Sequence, residues 1–440
     1  MAIVRLSGPG ALGVRDRLFR VSHRPPAHGQ AVLGQLLRAP GGDVLDQVLC
    51  LTWQAPHSYT GEDCVEFQVH GSPRIVQAAI EACLAAGARL AQPGEFTRRA
   101  YLNGKLDLAQ AEAVCALVQA ETDAAERAAL AQLQGGLSRR VRELRDSIVP
   151  AIAQLEAHVD FPEEGLEPAT RAQLGATIDG AIAGIEALLT TSRRGELLRE
   201  GARVALCGAP NAGKSSLFNA LARGDRALVT PHPGTTRDIL EARVDIGGVP
   251  VTLLDTAGLR ATEDPVEVLG VGRAREELAR ADLLLFVVDR AAPAEHAAAE
   301  WVQLPKGRRL LVLNKQDLPG MDTAAAASAF RPEPGEGPIP LSAAKGAGID
   351  ALEAAVLARL GGAAPGEGVV VSSLRQREAL TAARDALVEA AEGVASSLSP
   401  EFIVVDLAQA TRALDSITGE HGALDERVLD ALFSTFCLGK

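Results

Sequence analysis

Apolar and polar positions change their rhythm three times along this chain. Over residues 1–103, "AIVRL", "VLCLTW" and "CVEFQVHG" are short strand-like runs, and about Pro73 to Ala86 has helical spacing. This predicts a small α+β domain. Over 104–200 the strand signals vanish, and long Ala/Leu/Glu/Arg-rich stretches predict helices, interrupted at "DFPEEGLEP" from Asp160. Over 201–361 strands and helices alternate. "RVALC" precedes the helix of "GKSSLFNALA", and "ILEARVDI" and "VPVTLLD" flank a Gly-Gly turn. "LLLFVVD", "RLLVLN" and "PIPLSA" read as buried strands. The linker "GGAAPGEG" at Gly361 leads to residues 362–440, again helical. The pattern predicts a multidomain chain: an α+β N-terminal domain, a discontinuous α-helical domain, and an inserted α/β domain. Two independent bundles are the alternative. Insertion is favoured because each helical half is short for its own core.

Composition narrows the picture. The chain has 440 residues, 47% of them hydrophobic, enough for several cores. A net charge of −12 does not announce nucleic-acid binding, although a local patch or a partner can supply it. Six scattered cysteines form no C-x-x-C pair, so neither zinc nor a disulfide framework is indicated, and a reducing cytoplasmic setting fits. "MAIVRLSGPG" has no apolar signal core. The run Leu283–Val288 is strand-sized, and no segment is expected to span a membrane. Lysine is rare: Lys105, Lys214, Lys306, Lys315, Lys345 and Lys440. With arginine serving surface charge, these positions suggest sites that need a compact ammonium.

Gly208-Ala-Pro-Asn-Ala-Gly-Lys-Ser fits the phosphate-binding loop, between a strand and a helix as that loop requires. Gly208, Asn211, Ala212, Gly213 and the first helical residues Lys214, Ser215 and Ser216 would surround the phosphates with N–H groups. Lys214 would reach the β/γ-phosphates and Ser215 would ligate Mg²⁺. In "PGTTRD", Thr235 or Thr236 could complete the Mg²⁺ shell. Asp255 would hold Mg²⁺ through water, and after Thr256 and Ala257 the Gly258 N–H would face the γ-phosphate. "NKQD" begins at Asn314 after another strand; Asn314 is a nucleotide-site candidate, Lys315 would cover the base, and Asp317 would accept from guanine N1–H and its 2-amino group. Adenine has neither donor, so GTP is the expected nucleotide. Ser342 and Ala343 of "SAAKG" supply a last loop beneath the base.

One position breaks the pattern. Small signalling GTPases place a water-orienting glutamine after the Asp-x-x-Gly segment, and this chain has Leu259. Asn211, with Thr230 and loop carbonyls, could bind a monovalent cation beside the phosphates, and Glu267 could position water. The plainer readings are a loop-stabilising amide for Asn211 and a first-turn helix carboxylate for Glu267.

The motifs together resemble the bacterial tRNA modification GTPase family MnmE, also called TrmE, along nearly the whole chain. The likeness rests on "APHSYTGEDCVEFQVHG" (55–71), "PGEFTRRAYLNGKLDLAQAEAV" (93–114), "DFPEE" (160–164), "GAPNAGKSSLFNAL" (208–221), "TPHPGTTRD" (230–238), "DTAGLR" (255–260) and "FCLGK" (436–440). It implies a folate-binding-like N-terminal domain through which the chain forms a homodimer. It implies G domains that pair across K⁺ to stimulate hydrolysis. Asn211, Thr230, His232 and Thr235 would form the K⁺ loop, Ser215 and Thr236 would hold Mg²⁺, and Glu267 would position water. Asn211, Lys214 and Glu267 are thus the catalytic candidates. The resemblance further implies an FAD-containing partner of the MnmG type and modification of C5 of the wobble uridine of certain tRNAs. A tetrahydrofolate derivative would be the one-carbon donor, contacted by Arg5, Glu66, Lys105 and Lys440. Strand-edge charge is the plainer reading of Arg5 and Glu66. Cys437 is open between nucleophile and structural thiol, because only Lys440 nearby is charged. Family members carry a strand and a Gly/Pro-rich loop before the segment matching "AIVRLSG", so a start assigned too far downstream is expected. The alternatives are a GTP-controlled binding switch without folate, and a scaffold that binds GTP without turnover. The Arg-rich "SRRVRELR" at Ser138 reads as a solvated helix face.

Overall fold

The structure is a computed structural model that describes residues 1–21, 25–160, 168–223, 227–228, 240–255, 278–333, 336–362, 369–420, 426–436 and 439. Two compact units share the chain. One comprises Met1–Cys115, Gln132–Ile178 and Asp385–Lys440, and the other Ala116–Ala131 and Asp179–Arg384.

The first unit contains a five-stranded antiparallel sheet in the order β1-β5-β4-β3-β2. Its strands are β1 (Ala2–Ser7), β2 (Phe19–Arg20), β3 (Ala31–Leu37), β4 (Val44–Trp53) and β5 (Cys64–Val69). Alternate residues Val4, Val48, Cys50, Val65 and Phe67 bury one face against Ala79, Ala82 and Cys83 of helix Pro73–Ala85 and Val14 of helix Ala11–Leu18. The expected strands and the expected helix are present. β2, β3 and helix Ala11–Leu18 were not anticipated. Two positions explain why. A Cβ at Gly34 would stand 2.4 Å from the Phe19 ring, so this strand interior needs glycine, which reads as a breaker. Arg15 is buried in its helix, donating to Pro26 O at 3.2 Å and Thr52 Oγ1 at 3.1 Å, which hides the apolar stripe.

Chain segments from both sides of the α/β block meet in this unit. Helix Gly136–Asp160 packs along helix Pro400–Thr418. Arg142 joins Asp107 at 2.9 Å and Glu420 at 2.6 Å, and Arg145 joins Glu420 at 2.6 Å. These arginines therefore correct the expectation of a merely solvated helix face for "SRRVRELR". Helix Glu95–Leu102 contacts the C-terminal helix Glu426–Ser434, with Arg98 2.9 Å from Asp430.

The second unit holds a six-stranded sheet in the order β11-β10-β9-β6-β8-β7. The strands are β6 (Ala202–Cys207), β7 (Leu240–Ile246), β8 (Val249–Asp255), β9 (Leu283–Asp289), β10 (Arg309–Asn314) and β11 (Ile339–Pro340). All pairings are parallel except the β7–β8 hairpin. β6, β8, β9 and β10 are almost wholly apolar and buried, as parallel strands covered on both faces must be. The chain leaves β6 toward β8 on one side and β9 on the other, so a crevice opens at the strands' carboxyl ends. Where the α/β block begins and ends, its chain segments are tied together. Arg193 Nε donates to Leu360 O at 3.0 Å, and Val371 N donates to Thr191 Oγ1 at 3.1 Å. Gly195 permits the approach, since a Cβ there would lie 2.1 Å from Val371 O.

One helical stretch bears on the question of membranes. Arg171–Glu200 is long and apolar enough to cross a membrane by length and composition. Alanines and glycines, rather than an unbroken large-residue run, supply its apolar character. As far as Thr190 its buried large or methyl-bearing positions are Leu174, Ile178, Ala181, Ile185 and Leu188, the spacing of one face packed on protein.

Candidate nucleotide site

Four strand ends assemble the site in the second unit. At the end of β6 the loop turns through Gly208 (φ 124°), Asn211 (φ 62°) and Gly213 (φ 96°) into helix Lys214–Ala222. A Cβ on Gly208 would meet Val287 O at 2.3 Å, and one on Gly213 would meet Asn314 Nδ2 at 2.2 Å. Glycine is therefore required by contact as well as by φ. Lys214 is buried and its Nζ donates to Gly208 O at 2.9 Å and Ala209 O at 2.8 Å. The ammonium thus sits over its own loop. Asn211, Ser215 and Ser216 are exposed at the loop and first helical turn, where free N–H groups favour anions.

β8 ends at Asp255, buried, whose Oδ2 accepts from Ser215 Oγ at 2.9 Å. A hydroxyl and a carboxylate oxygen meeting at the mouth of a phosphate loop are hard donors of the kind Mg²⁺ takes, so the pair fits that ion.

β10 ends at Asn314. Its Nδ2 donates to Ala212 O at 2.9 Å, and its Oδ1 accepts from Ala343 N at 3.1 Å. Buried Asn314 thereby fastens the phosphate loop to the Ser342–Ala343 loop. Ser342 Oγ donates to Asp317 Oδ1 at 2.6 Å. That hydrogen bond holds the Asp317 carboxyl below its usual range. The residue stays an ionised acceptor, as recognition of guanine N1–H and N2–H requires. Lys315 adopts φ 65° and its Nζ lies 2.7 Å from Asp289 Oδ2. In the sequence Asp289 is only the last residue of the strand-like run "LLLFVVD". Its register beside Asn314 was the missing information.

The structure thus gathers Gly208, Asn211, Ala212, Gly213, Lys214, Ser215, Ser216, Asp255, Asn314, Lys315, Asp317, Ser342 and Ala343 at the carboxyl ends of the strands. Thr230, His232, Thr235, Thr236, Thr256, Ala257, Gly258, Leu259 and Glu267 lie outside the described residues, as do Cys437 and Lys440.

The first unit has a cavity of about 650 Å³ lined by Arg5, Phe96, Arg89, Arg99, Glu95 and Gly439, among others. Arg5 faces Glu66 in the β1–β5 register and pairs with it at 2.6 Å. Its guanidinium lies 5.6 Å from the ring centroids of Tyr59 and Phe96. Lys105 is exposed and is not part of the lining. Glu95 accepts from Arg89 at 2.9 Å and from Arg99 at 2.7 Å. The Arg89 hydrogen bond, helped by Gln92 N–H and Arg99, pulls Glu95 down to about 2 against the opposing effect of burial. A carboxyl depressed in the folded state stabilises it above the unfolded value, about 4.3, and that contribution fades as pH falls toward about 2. Glu95→Gln should therefore flatten the loss of stability between those limits, read by denaturation at stepped pH. An unchanged acid limb would refute the assignment. The buried thiols are poor nucleophiles, since burial pushes Cys50 and Cys207 up to about 12 and Cys83 up to about 11.

A phosphate loop with its lysine and serine, a buried aspartate beside the serine, and an Asn-Lys-x-Asp loop fastened to them define a P-loop GTPase. The sequence matches the family model described as MnmE helical domain over residues 108–437, and that of the GTP-binding protein TrmE N-terminus over 1–105. The chain belongs to this MnmE (TrmE) family. Curated proteins called tRNA modification GTPase MnmE are similar to it from end to end. That of Symbiobacterium thermophilum is 47% identical, covering 100% of this chain and 96% of its own length. Those of Thermus thermophilus and Aquifex aeolicus are 45% and 41% identical with the same coverage.

Proposed function

We propose that this chain is a K⁺-stimulated GTPase that serves modification of C5 of the wobble uridine of certain tRNAs. It would act in the cytoplasm as a homodimer, with an FAD-containing partner of the MnmG type and a tetrahydrofolate derivative as one-carbon donor. Residues 1–103 would bind folate and dimerise, 104–200 and 362–440 would form the helical domain, and 201–361 the G domain. Similarity to relatives bearing the tRNA modification GTPase name along the whole chain supports the substrate class. The observation that carries the hydrolytic reading is the 2.9 Å meeting of Ser215 with Asp255 beside Lys214.

In this reading Ser215 and Thr236 hold Mg²⁺, with Asp255 orienting the Ser215 hydroxyl. Mg²⁺, when bound, neutralises charge on the β- and γ-phosphate oxygens. Lys214 leaves its loop carbonyls for the phosphates. Asn211, Thr230, His232 (by its carbonyl) and Thr235 take K⁺, which does the work of an arginine finger. Glu267 positions water, which removes the need for a glutamine at Leu259. Arg5 and Glu66 contact folate, with Lys105 and Lys440 as further cations. A 650 Å³ cavity beside Arg5 has the size of a small-molecule site and favours the assignment for Arg5. GTP-driven pairing of G domains would move the helical arms.

The test is the GTPase rate in equimolar KCl and NaCl, with Glu267→Ala alongside. Activity should be strong in K⁺ and weak in Na⁺, and should fall about a hundredfold or more in the variant while GTP binding persists. Equal rates in both salts would remove the K⁺ loop and favour a GTP-controlled binding switch.

A further inference from the structure

Two consecutive residues outside the guanine-reading signature hold that loop from below. β9 ends at Asp289, beside Asn314 in register, and Arg290 follows. Asp289 divides its carboxylate. Oδ1 accepts from Ala291 N at 2.9 Å, and Oδ2 accepts from Lys315 Nζ at 2.7 Å. Arg290 reaches the other end of the loop, donating to Gln316 Oε1 at 2.8 Å and Gly320 O at 3.0 Å. Its backbone joins too: Arg290 N donates to Asn314 O at 3.2 Å, and Met321 N donates to Arg290 O at 2.8 Å. A Cβ on Gly320 would lie 2.3 Å from Arg290 O, so the approach is close.

Lysine is a poor choice for a rigid cover over a base, because its four-carbon stem rotates freely. Here one end of the stem starts from a left-handed backbone, φ 65° at Lys315, and the other is tied to Asp289. The side chains of the pair are only 31% and 19% exposed, so water competes weakly for the ammonium. A stem fixed at both ends presents its methylenes as an apolar surface.

We propose that Asp289 is a positioning residue for guanine-nucleotide binding: it holds the Lys315 stem extended over the base, while Arg290 fixes the loop that carries it. The inference rests on the guanine reading of Asn314–Asp317. Lys315 covers the base plane and Asp317 reads the base edge. Loss of Asp289 therefore weakens binding of any purine that fits, without altering the preference for a 2-amino group.

The test uses full-length protein and fluorescent GDP and IDP, the latter lacking the 2-amino group. Asp289→Asn keeps the Ala291 hydrogen bond and replaces the carboxylate oxygen facing Lys315 with an amide NH₂, which cannot accept from the ammonium. It should raise Kd for both nucleotides about tenfold, leaving their ratio intact, with the loss in turnover carried by KM. Asp289→Glu should restore most of the affinity. In a Lys315→Met background, Asp289→Asn should add less than about twofold, since the partner is gone. The proposal is overturned if Asp289→Asn binds GDP as wild type does, if the GDP/IDP ratio collapses, or if the full loss persists without Lys315. Wild-type protein unable to bind GDP would overturn the guanine reading itself, and the proposal with it.

Discussion

Lys214→Ala will lower GTP turnover at saturating nucleotide by about a hundredfold or more, and Lys214→Arg will not restore it. The lysine now satisfies Gly208 O and Ala209 O at 2.9 and 2.8 Å. These neutral acceptors hold the ammonium at the loop, ready to exchange for phosphate oxygens that carry full charge. Because charge on those oxygens redistributes during transfer, removing the ammonium weakens the transition state more than the bound ground state. A guanidinium is too broad for a loop in which Gly208 and Gly213 already touch neighbouring strands. Single-turnover hydrolysis with a parallel GDP titration separates the two effects. A loss seen only in affinity would show that Lys214 serves binding alone.

Gly208→Ala should damage both the site and the unit around it. A methyl group at this position would lie 2.3 Å from Val287 O, and φ 124° is strained for alanine. Val287 belongs to the buried strand β9, so the phosphate loop must yield. Overpacking and backbone strain together cost about 3 kcal/mol. For a unit of this size that lowers the melting temperature by roughly 10 °C. Calorimetry should place the shift in the α/β unit's transition, and GDP should no longer raise it. A variant that melts with wild type and binds GDP would contradict the close approach at β9.

Where the structure brings together residues that stand out in the sequence, the signal is local. Gly208–Ser215, Asp255 and Asn314–Asp317 each follow an apolar strand, so motif and context were read together. Where it stopped, the cause lay across strands or in a concealed contact. Gly34 resembles a breaker because its reason, the Phe19 ring, is on another strand. Arg15 conceals a helix because its acceptors, Pro26 and Thr52, are distant in sequence. Asp289 seemed a flank until β9 and β10 were set in register. The link from Asn314 to Ala212 joins two motifs that had been recognised separately.

The bonds at Thr191–Val371 and Arg193–Leu360 have a consequence for how the chain assembles. Tyr101 donates to Gly419 O at 3.0 Å across 318 residues of sequence. Closing a flexible loop of roughly two hundred residues costs about 5 kcal/mol, against about 2 kcal/mol for ten. Once the α/β block has folded, its two ends are already neighbours, and the flanking helices approach one another as though joined by a short turn. The nucleotide-binding block is thereby also a topological staple. It can form before the last helices are synthesised, and by doing so it shortens the search by which they find the first.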